Sequence, residues 1–293
     1  MNTLLVFLAQ CLGATTPLLL AALGGTLSER AGVAMIALEG YILVGALASA
    51  VGALSTGSAA GACLAALLAG ALFGALFALA HVTLRAHAIV AGVAINLLAG
   101  ASTRVAIKVL YDSSSNSPPL LTRASRAGSL GTVALVEALS QPVTYLALAS
   151  AVLVGITLRF TPLGLRIDAA GEHPEALAAR GVSVARTRWI ALVAGAALAG
   201  LGGAHLALAQ HEFVAYMSAG RGFLALAAVI LGGWKPVRVA LASLAIGALF
   251  ALEATLAGRA GAPSWLLQSL PFALTLVAVV GLVGRTRPPR ALG

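Results

Sequence analysis

Residues 24–33 read Gly24-Gly25-Thr26-Leu27-Ser28-Glu29-Arg30-Ala31-Gly32-Val33, and residues 36–40 read Ile36-Ala37-Leu38-Glu39-Gly40. Two carboxylates, an arginine and a cluster of glycines thus interrupt two long apolar segments. Ionisable groups inside a membrane span are costly and face a cavity or a partner. The stretch therefore reads as a broken helix within a membrane domain, with Ser28, Glu29, Arg30 and Gly32 at the break. Glu39 sits only a few residues past it. It either lines a translocation path, or it holds the break together by capping nearby backbone or pairing with a base such as Arg30.

The rest of the 293-residue chain agrees with a membrane domain. Hydrophobic residues make up 60% and charged residues only 9%. A soluble domain carries about 25% charged residues, so too little charge remains here to coat a water-facing surface. Disorder is excluded because it requires low hydrophobicity and high charge. Nine apolar segments are read, at roughly 4–26, 33–54, 58–80, 88–110, 142–160, 189–211, 221–234, 237–257 and 265–284. At about 20 residues each, nine spans fit the length. The expected fold is all-α: one polytopic domain over residues 1–293 with about nine transmembrane helices and Gly-broken short helices. Small residues such as Gly70, Gly74, Gly195 and Gly203 supply the close helix packing that membrane bundles use.

Net charge is +9. The basic residues fall in short loops and at span ends, not in a basic-aromatic patch, so nucleic acid is not an expected partner. The lipid bilayer is. With the C-terminus inside and nine spans, twelve of the 18 Lys and Arg face the cytoplasm, and only Arg104, Lys108, Arg123, Arg126, Arg221 and Arg259 face out. This bias predicts an N-terminus outside and a cytoplasmic tail over about 285–293. No removable signal is read at the start, so the first segment is itself a span. Cys11 and Cys63 lie in apolar stretches without metal or redox spacing and read as small fillers.

Two loops are long. The outer one, about 111–141, is polar and turn-rich. The inner one, about 161–188, carries most of the internal charge and is punctuated by Gly164, Gly171, Pro174 and Gly181. A second broken element runs Gly220-Arg221-Gly222-Phe223 to Gly232-Gly233-Trp234-Lys235-Pro236. At 14 residues, Gly220 to Gly233 is about 21 Å of helix, short of a ~30 Å core. The charge bias favours a short span continuing from Phe213 over a re-entrant segment. Two Gly-broken segments running in opposed directions are what the inverted repeats of a transporter show. Asn96 sits mid-span, where it either contacts a solute or bonds across helices. Arg104 and Lys108 are expected to snorkel to the outer interface. No nucleophile elbow, zincin motif or P-loop occurs, so no catalytic residue, metal site or ATP site is assigned.

Three blocks resemble the membrane subunits of ABC importers, in the family that handles branched-chain amino acids, simple sugars and nucleosides. They are the 25–40 stretch, then Thr161-Pro162-Leu163-Gly164-Leu165-Arg166 with Ala170-Gly171-Glu172-His173-Pro174-Glu175-Ala176, and then Gly220 to Gly232 with Trp234 and Pro236. Ser28-Glu29-Arg30-Ala31-Gly32 with Leu38-Glu39-Gly40 is similar to the nucleoside-type branch. The resemblance implies a type II ABC importer-like permease in a bacterial inner membrane, not an enzyme. ATP and Mg would belong to partner ATPase subunits, and this chain would bind no cofactor. A second permease, identical or paralogous, and an extracytoplasmic substrate-binding protein are the other implied partners. Gly171, Glu172, His173, Pro174, Glu175, Arg180 and Gly181 would form the segment that docks on the ATPase. Glu39, Asn96 and Phe223 are the expected path residues, and nucleosides the expected solute. The same machine carrying simple sugars is the nearer alternative. An ion-coupled secondary transporter is the farther one, and would need embedded acids such as Glu39 and Glu253.

Overall fold

A computed structural model describes residues 2–113, 115–120, 141–257, 264–282 and 288–292. Most of the outer loop and part of the tail therefore lie outside the described residues. Among those described, the secondary structure is helical. In chain order the α-helices are α1 Asn2–Arg30, α2 Leu38–Thr56, α3 Ala59–Ala78, α4 Ala88–Tyr111, α5 Pro142–Phe160, α6 Pro162–Glu172, α7 Pro174–Ala179, α8 Val184–Gln210, α9 Arg221–Leu231, α10 Pro236–Ala257 and α11 Ser264–Leu282. A π-turn, Leu79–Thr83, continues α3, and a 3-10 turn, Arg290–Leu292, lies in the tail.

Helices arise here because a bilayer cannot hydrogen-bond free backbone groups, so each spanning segment must satisfy its own. Among the described residues, seven helices are long and apolar enough to cross a membrane: α1, α2, α3 with its π-turn, α4, α5, α8 and α10. The other two expected spans are shorter as apolar helices, Arg221–Leu231 and Leu266–Gly281. The chain is a multi-pass membrane protein, and the full set of nine long helices is not seen among the described residues. The ends follow local chemistry. Ser58, Thr161 and Ser183 each accept a backbone N–H at the start of α3, α6 and α8, and Pro142, Pro162 and Pro174 occupy first-turn positions where no N–H is needed.

α8 is the hub. It packs against α1, α2 and α3, and α10 lies along α1. The glycines expected to allow close packing lie on these seams. A Cβ on Gly195 would collide with the Gly24 carbonyl, and a Cβ on Gly24 with that of Gly195. Gly200 faces Gly45 on one side and Ala66 and Gly70 on the other, and Gly74 lies on Ala196. By contrast α4, α5 and α10 bury only their inner stripes and expose Leu, Val and Ile elsewhere, among them Leu97, Val109, Leu153 and Leu241. That exposed surface suits lipid or another subunit.

Contacts sort the loops into two ends. At one, Ser117 donates its N–H to the Phe213 carbonyl at 2.9 Å and Leu120 donates to that of His211, so the start of the 111–141 loop meets the segment after α8. At the other, the end of α1, helix α6 and the tail come together, and Trp189 bonds Thr83 at 3.1 Å. Arg30, Arg166 and Arg290 thus share one end, the grouping that the charge bias requires.

The segment between α8 and α10 differs from the expected short helix starting at Phe213. Val214 bridges to Asn116 and residues 215–220 form turns, with Tyr216, Ala219 and Gly220 at positive φ (61°, 45° and 78°), and only then does α9 begin. Backbone in that region cannot continue a right-handed helix. The segment runs as turns first and as a short helix, α9, for the remainder.

The Gly24–Gly195 contact gives a test. Gly195→Val forces the helices apart and costs about 1–3 kcal/mol, the usual range for overpacking. Gly155→Val is the control, since a Cβ there meets nothing within 4 Å. The melting temperature of the purified protein should fall for Gly195→Val and hold for Gly155→Val.

Candidate functional site

The two broken elements meet each other. α1 ends at Arg30 and a seven-residue break follows. Gly32 takes φ +83°, a backbone state that favours glycine. The buried Ser28 hydroxyl donates to the Val33 carbonyl at 2.8 Å, closing the turn. Asn96, nine residues into α4, spans the far side of the break. Its Nδ2 donates to the Ile36 carbonyl at 3.0 Å, and its Oδ1 accepts the Gly40 N–H at 2.8 Å. One amide therefore satisfies an acceptor and a donor that an unbroken helix would have paired internally.

Glu39 stands in the first turn of α2 and also caps α9. Its Oε1 accepts the Gly220 N–H at 2.8 Å and its Oε2 the Gly222 N–H at 2.7 Å. Both helices point their positive ends at this carboxylate, the sign that a helix N-terminus favours. The approach is close enough that a Cβ on Gly222 would strike the Glu39 backbone. Arg221 lies beside this junction. Its guanidinium donates to the Met217 and Ser218 carbonyls and sits 5.5 Å over the Phe250 ring.

The other end of α9 is also held by a glutamate. Glu29, 4% exposed, accepts the indole N–H of Trp234 at 2.6 Å. Gly232 allows α9 to turn into α10, since a Cβ there would meet the Val239 backbone. α9 is 11 residues, roughly 16 Å at 1.5 Å per residue. The two acids of the opening stretch thus grip a half-membrane helix at its two ends.

The residue between these grips and the charged loop is Arg30. It forms a two-pronged bond to Asp168 of α6, Nε to Oδ1 at 2.7 Å and Nη2 to Oδ2 at 2.5 Å. Burial raises the Asp168 carboxyl above the ordinary carboxylate range, against the opposing pull of Arg30. Arg188 of α8 donates to the Ala31 carbonyl at 3.1 Å and to that of Ala170 at 3.3 Å. Gly171 is buried against the Arg30 carbonyl, where a Cβ would collide.

Of the loop residues singled out in sequence, Gly171 belongs to this internal joint. Glu172, His173, Glu175, Arg180 and Gly181 are exposed, and Pro174 starts the short helix α7. Phe223 is 52% exposed on α9. The structure brings Glu39, Gly220 and Gly222 together, and sets Asn96 on the neighbouring Gly40. Arg30 pairs with Asp168, so the partner of Glu39 is backbone. Arg104 lies 5.5 Å over the Tyr216 ring and Lys108 pairs with Asp112 at 2.7 Å. Asp168 and Arg188 were not singled out in sequence, because nothing in their spacing marks a partner more than a hundred residues away.

Chemically the junction is a framework. The polar atoms of Asn96 and both oxygens of Glu39 are engaged with backbone. Among the described residues, no three His, Cys, Asp or Glu side chains gather to hold a metal.

Comparison with known proteins gives a consistent result. A family described as "Branched-chain amino acid transport system / permease component" matches residues 7–279. The chain is 34% identical to the nucleoside ABC transporter permease NupC of Lactococcus lactis, over 100% of this chain and 96% of that one. It is 34% identical to the guanosine ABC transporter permease NupQ of Bacillus subtilis, covering 94% and 92%. A putative glucose ABC transporter permease of Haloferax volcanii is 35% identical, covering 82% and 74%. No solved structure matches the chain significantly.

Removing the Glu39 carboxylate should orphan two backbone donors, each costing about 1–3 kcal/mol when buried without a partner. Glu39→Ala should therefore lower the melting temperature of the purified protein more than Glu39→Gln, which keeps one acceptor. Equal, small effects would count against the capping role.

Proposed function

The chain belongs to the branched-chain amino acid transport system permease family, and on that premise we propose that it is a permease subunit of an ATP-driven ABC importer for nucleosides. The observation that carries this reading is end-to-end likeness to two permeases named for a nucleoside and for guanosine. The Ser28-Glu29-Arg30-Ala31-Gly32 block points to the same branch. The chain is not itself an enzyme. ATP and Mg belong to the ATPase subunits, and this chain binds no cofactor.

The partners follow from the same reading. A second permease completes the path, and a relative named as another nucleoside permease, NupB of Lactococcus lactis, is 29% identical over 47% of this chain. An extracytoplasmic binding protein delivers the solute. The protein lies in a bacterial inner membrane with its N-terminus outside and its tail in the cytoplasm, the arrangement that the Lys/Arg bias favours. Residues 1–293 act as one permease domain.

The exposed face of Glu172, His173, Glu175, Arg180 and Gly181 docks on the ATPase. Its charge and exposure support that role, as does its mounting on the short helices α6 and α7. ATP-driven closure of the ATPase favours one permease conformation over the other, which is what coupling requires. Glu39 and Asn96 shape the path by holding the broken helices beside it. Phe223, exposed on α9, forms part of its wall, where a ring can stack on a base. A simple sugar is the second reading, favoured by the likeness to the putative glucose permease.

Three measurements test the proposal. The partner binding protein should bind nucleosides and ignore simple sugars, and the reverse selectivity would transfer the assignment to the sugar reading. Glu172→Lys with Glu175→Lys should reduce ATPase stimulation in the reconstituted complex while leaving membrane insertion intact. Uptake that survives loss of the ATPase but collapses with an uncoupler would identify an ion-coupled carrier instead.

A further inference from the structure

The charged loop and the broken helices are joined by a short series of directed bonds. Asp168 lies on α6, the helix that leads into the exposed docking face. Its carboxylate takes both prongs of Arg30, the last residue of α1. A planar two-pronged bond fixes direction as well as distance, which a single point contact does not. Arg188 adds a second tie by bridging Ala31 and Ala170. Gly171 lets the α6 backbone rest on the Arg30 carbonyl. Ala291 of the tail closes the joint from outside, 2.7 Å from where a Cβ on Gly32 would stand.

Immediately before Arg30, Glu29 holds Trp234 at 2.6 Å. Trp234 follows α9, and α9 is held at its start by Glu39. A displacement of α6 therefore acts first on Arg30, then through Glu29 on the end of α9, then along a rigid half-helix to the Glu39 junction. The non-covalent links at either end of α9 and at Arg30 are polar bonds between partly or fully buried groups. No alternative polar link from α6 to α9 is seen among the described residues.

The geometry points to Asp168, Arg30 and Arg188 as positioning residues that carry motion of the ATPase-docking segment to the broken-helix pair. This rests on the importer reading above. The Arg30–Asp168 pair is an internal joint of the chain. Its role is to set how much transport each hydrolysis event yields.

The test uses the whole importer in proteoliposomes, with wild type, Asp168→Asn and Arg30→Lys. Asn keeps an acceptor for Arg30, and Lys keeps the charge without the fork, so both are mild changes. Solute imported per ATP hydrolysed is measured beside co-purification of the ATPase. In whichever variants assemble, the ratio should fall by about fivefold or more, the lower end of typical site-to-site coupling. Exchanging the pair, Arg30→Asp with Asp168→Arg, should recover part of it. A wild-type ratio in an assembled single variant would overturn the inference. So would failure of both single variants to assemble, because the pair would then be an assembly element. Wild-type complexes that show no ATP-driven uptake would instead refute the importer reading itself.

Discussion

The Glu39 carboxylate sits where two helices start. α2 begins at Leu38 and α9 at Arg221, and their positive ends converge within the protein interior. Left alone, that junction would set two helix dipoles against each other and leave orphan N–H groups far from water. One anion answers both problems. It lies in the first turn of α2 and accepts from Gly220 and Gly222 of α9. Because the carboxylate must reach between the backbones, residue 222 has to be glycine, and the turns before Gly220 must bring the chain down without a helix. Asn96 of α4 completes the same arrangement by accepting the Gly40 N–H of α2.

The remaining architecture supports this junction. α8 holds α1, α2 and α3 through glycine seams, so the ends of the broken elements stay in register. Glu29 and Trp234 fix the far end of α9. On the other side of Glu29, Arg30 and Asp168 fasten the charged loop. The exposed face proposed to dock on the ATPase, the end of α1 and the half-helix α9 are thus joined by one run of contacts. This is the property an ATP-driven permease needs, because ATP is hydrolysed on a separate subunit and each ATPase state must favour one permease conformation.

Much of this was legible in the sequence. Low charge and high apolar content gave a helical membrane domain, and the placement of arginines gave the grouping of loops that the contacts around Arg30 display. The opening acids and the glycines at 220, 222 and 232 marked both broken elements. Glu39 was readable as a cap or a path residue, but its partner was not readable. A capping carboxylate shows its target only when the target is near in sequence, and Gly220 is 181 residues away. The same holds for Glu29 with Trp234 and for Arg30 with Asp168, where a single residue on each side carries no periodic signal. The turns over 215–220 were missed for a different reason. Phe213, Val214, Ala215 and Met217 are apolar enough to extend a helix, and the residue types of Tyr216 and Ala219 do not signal their positive φ.

The central claim is that docking segment, α1 terminus and α9 move together. Spin labels at Glu175→Cys and Phe223→Cys would report their separation within one chain of the reconstituted importer. The account predicts that this distance holds between nucleotide-free and ATP-bound states, while the distance from the Phe223→Cys label to one on the second permease changes. A change within the chain, with the distance across the path constant, would contradict it.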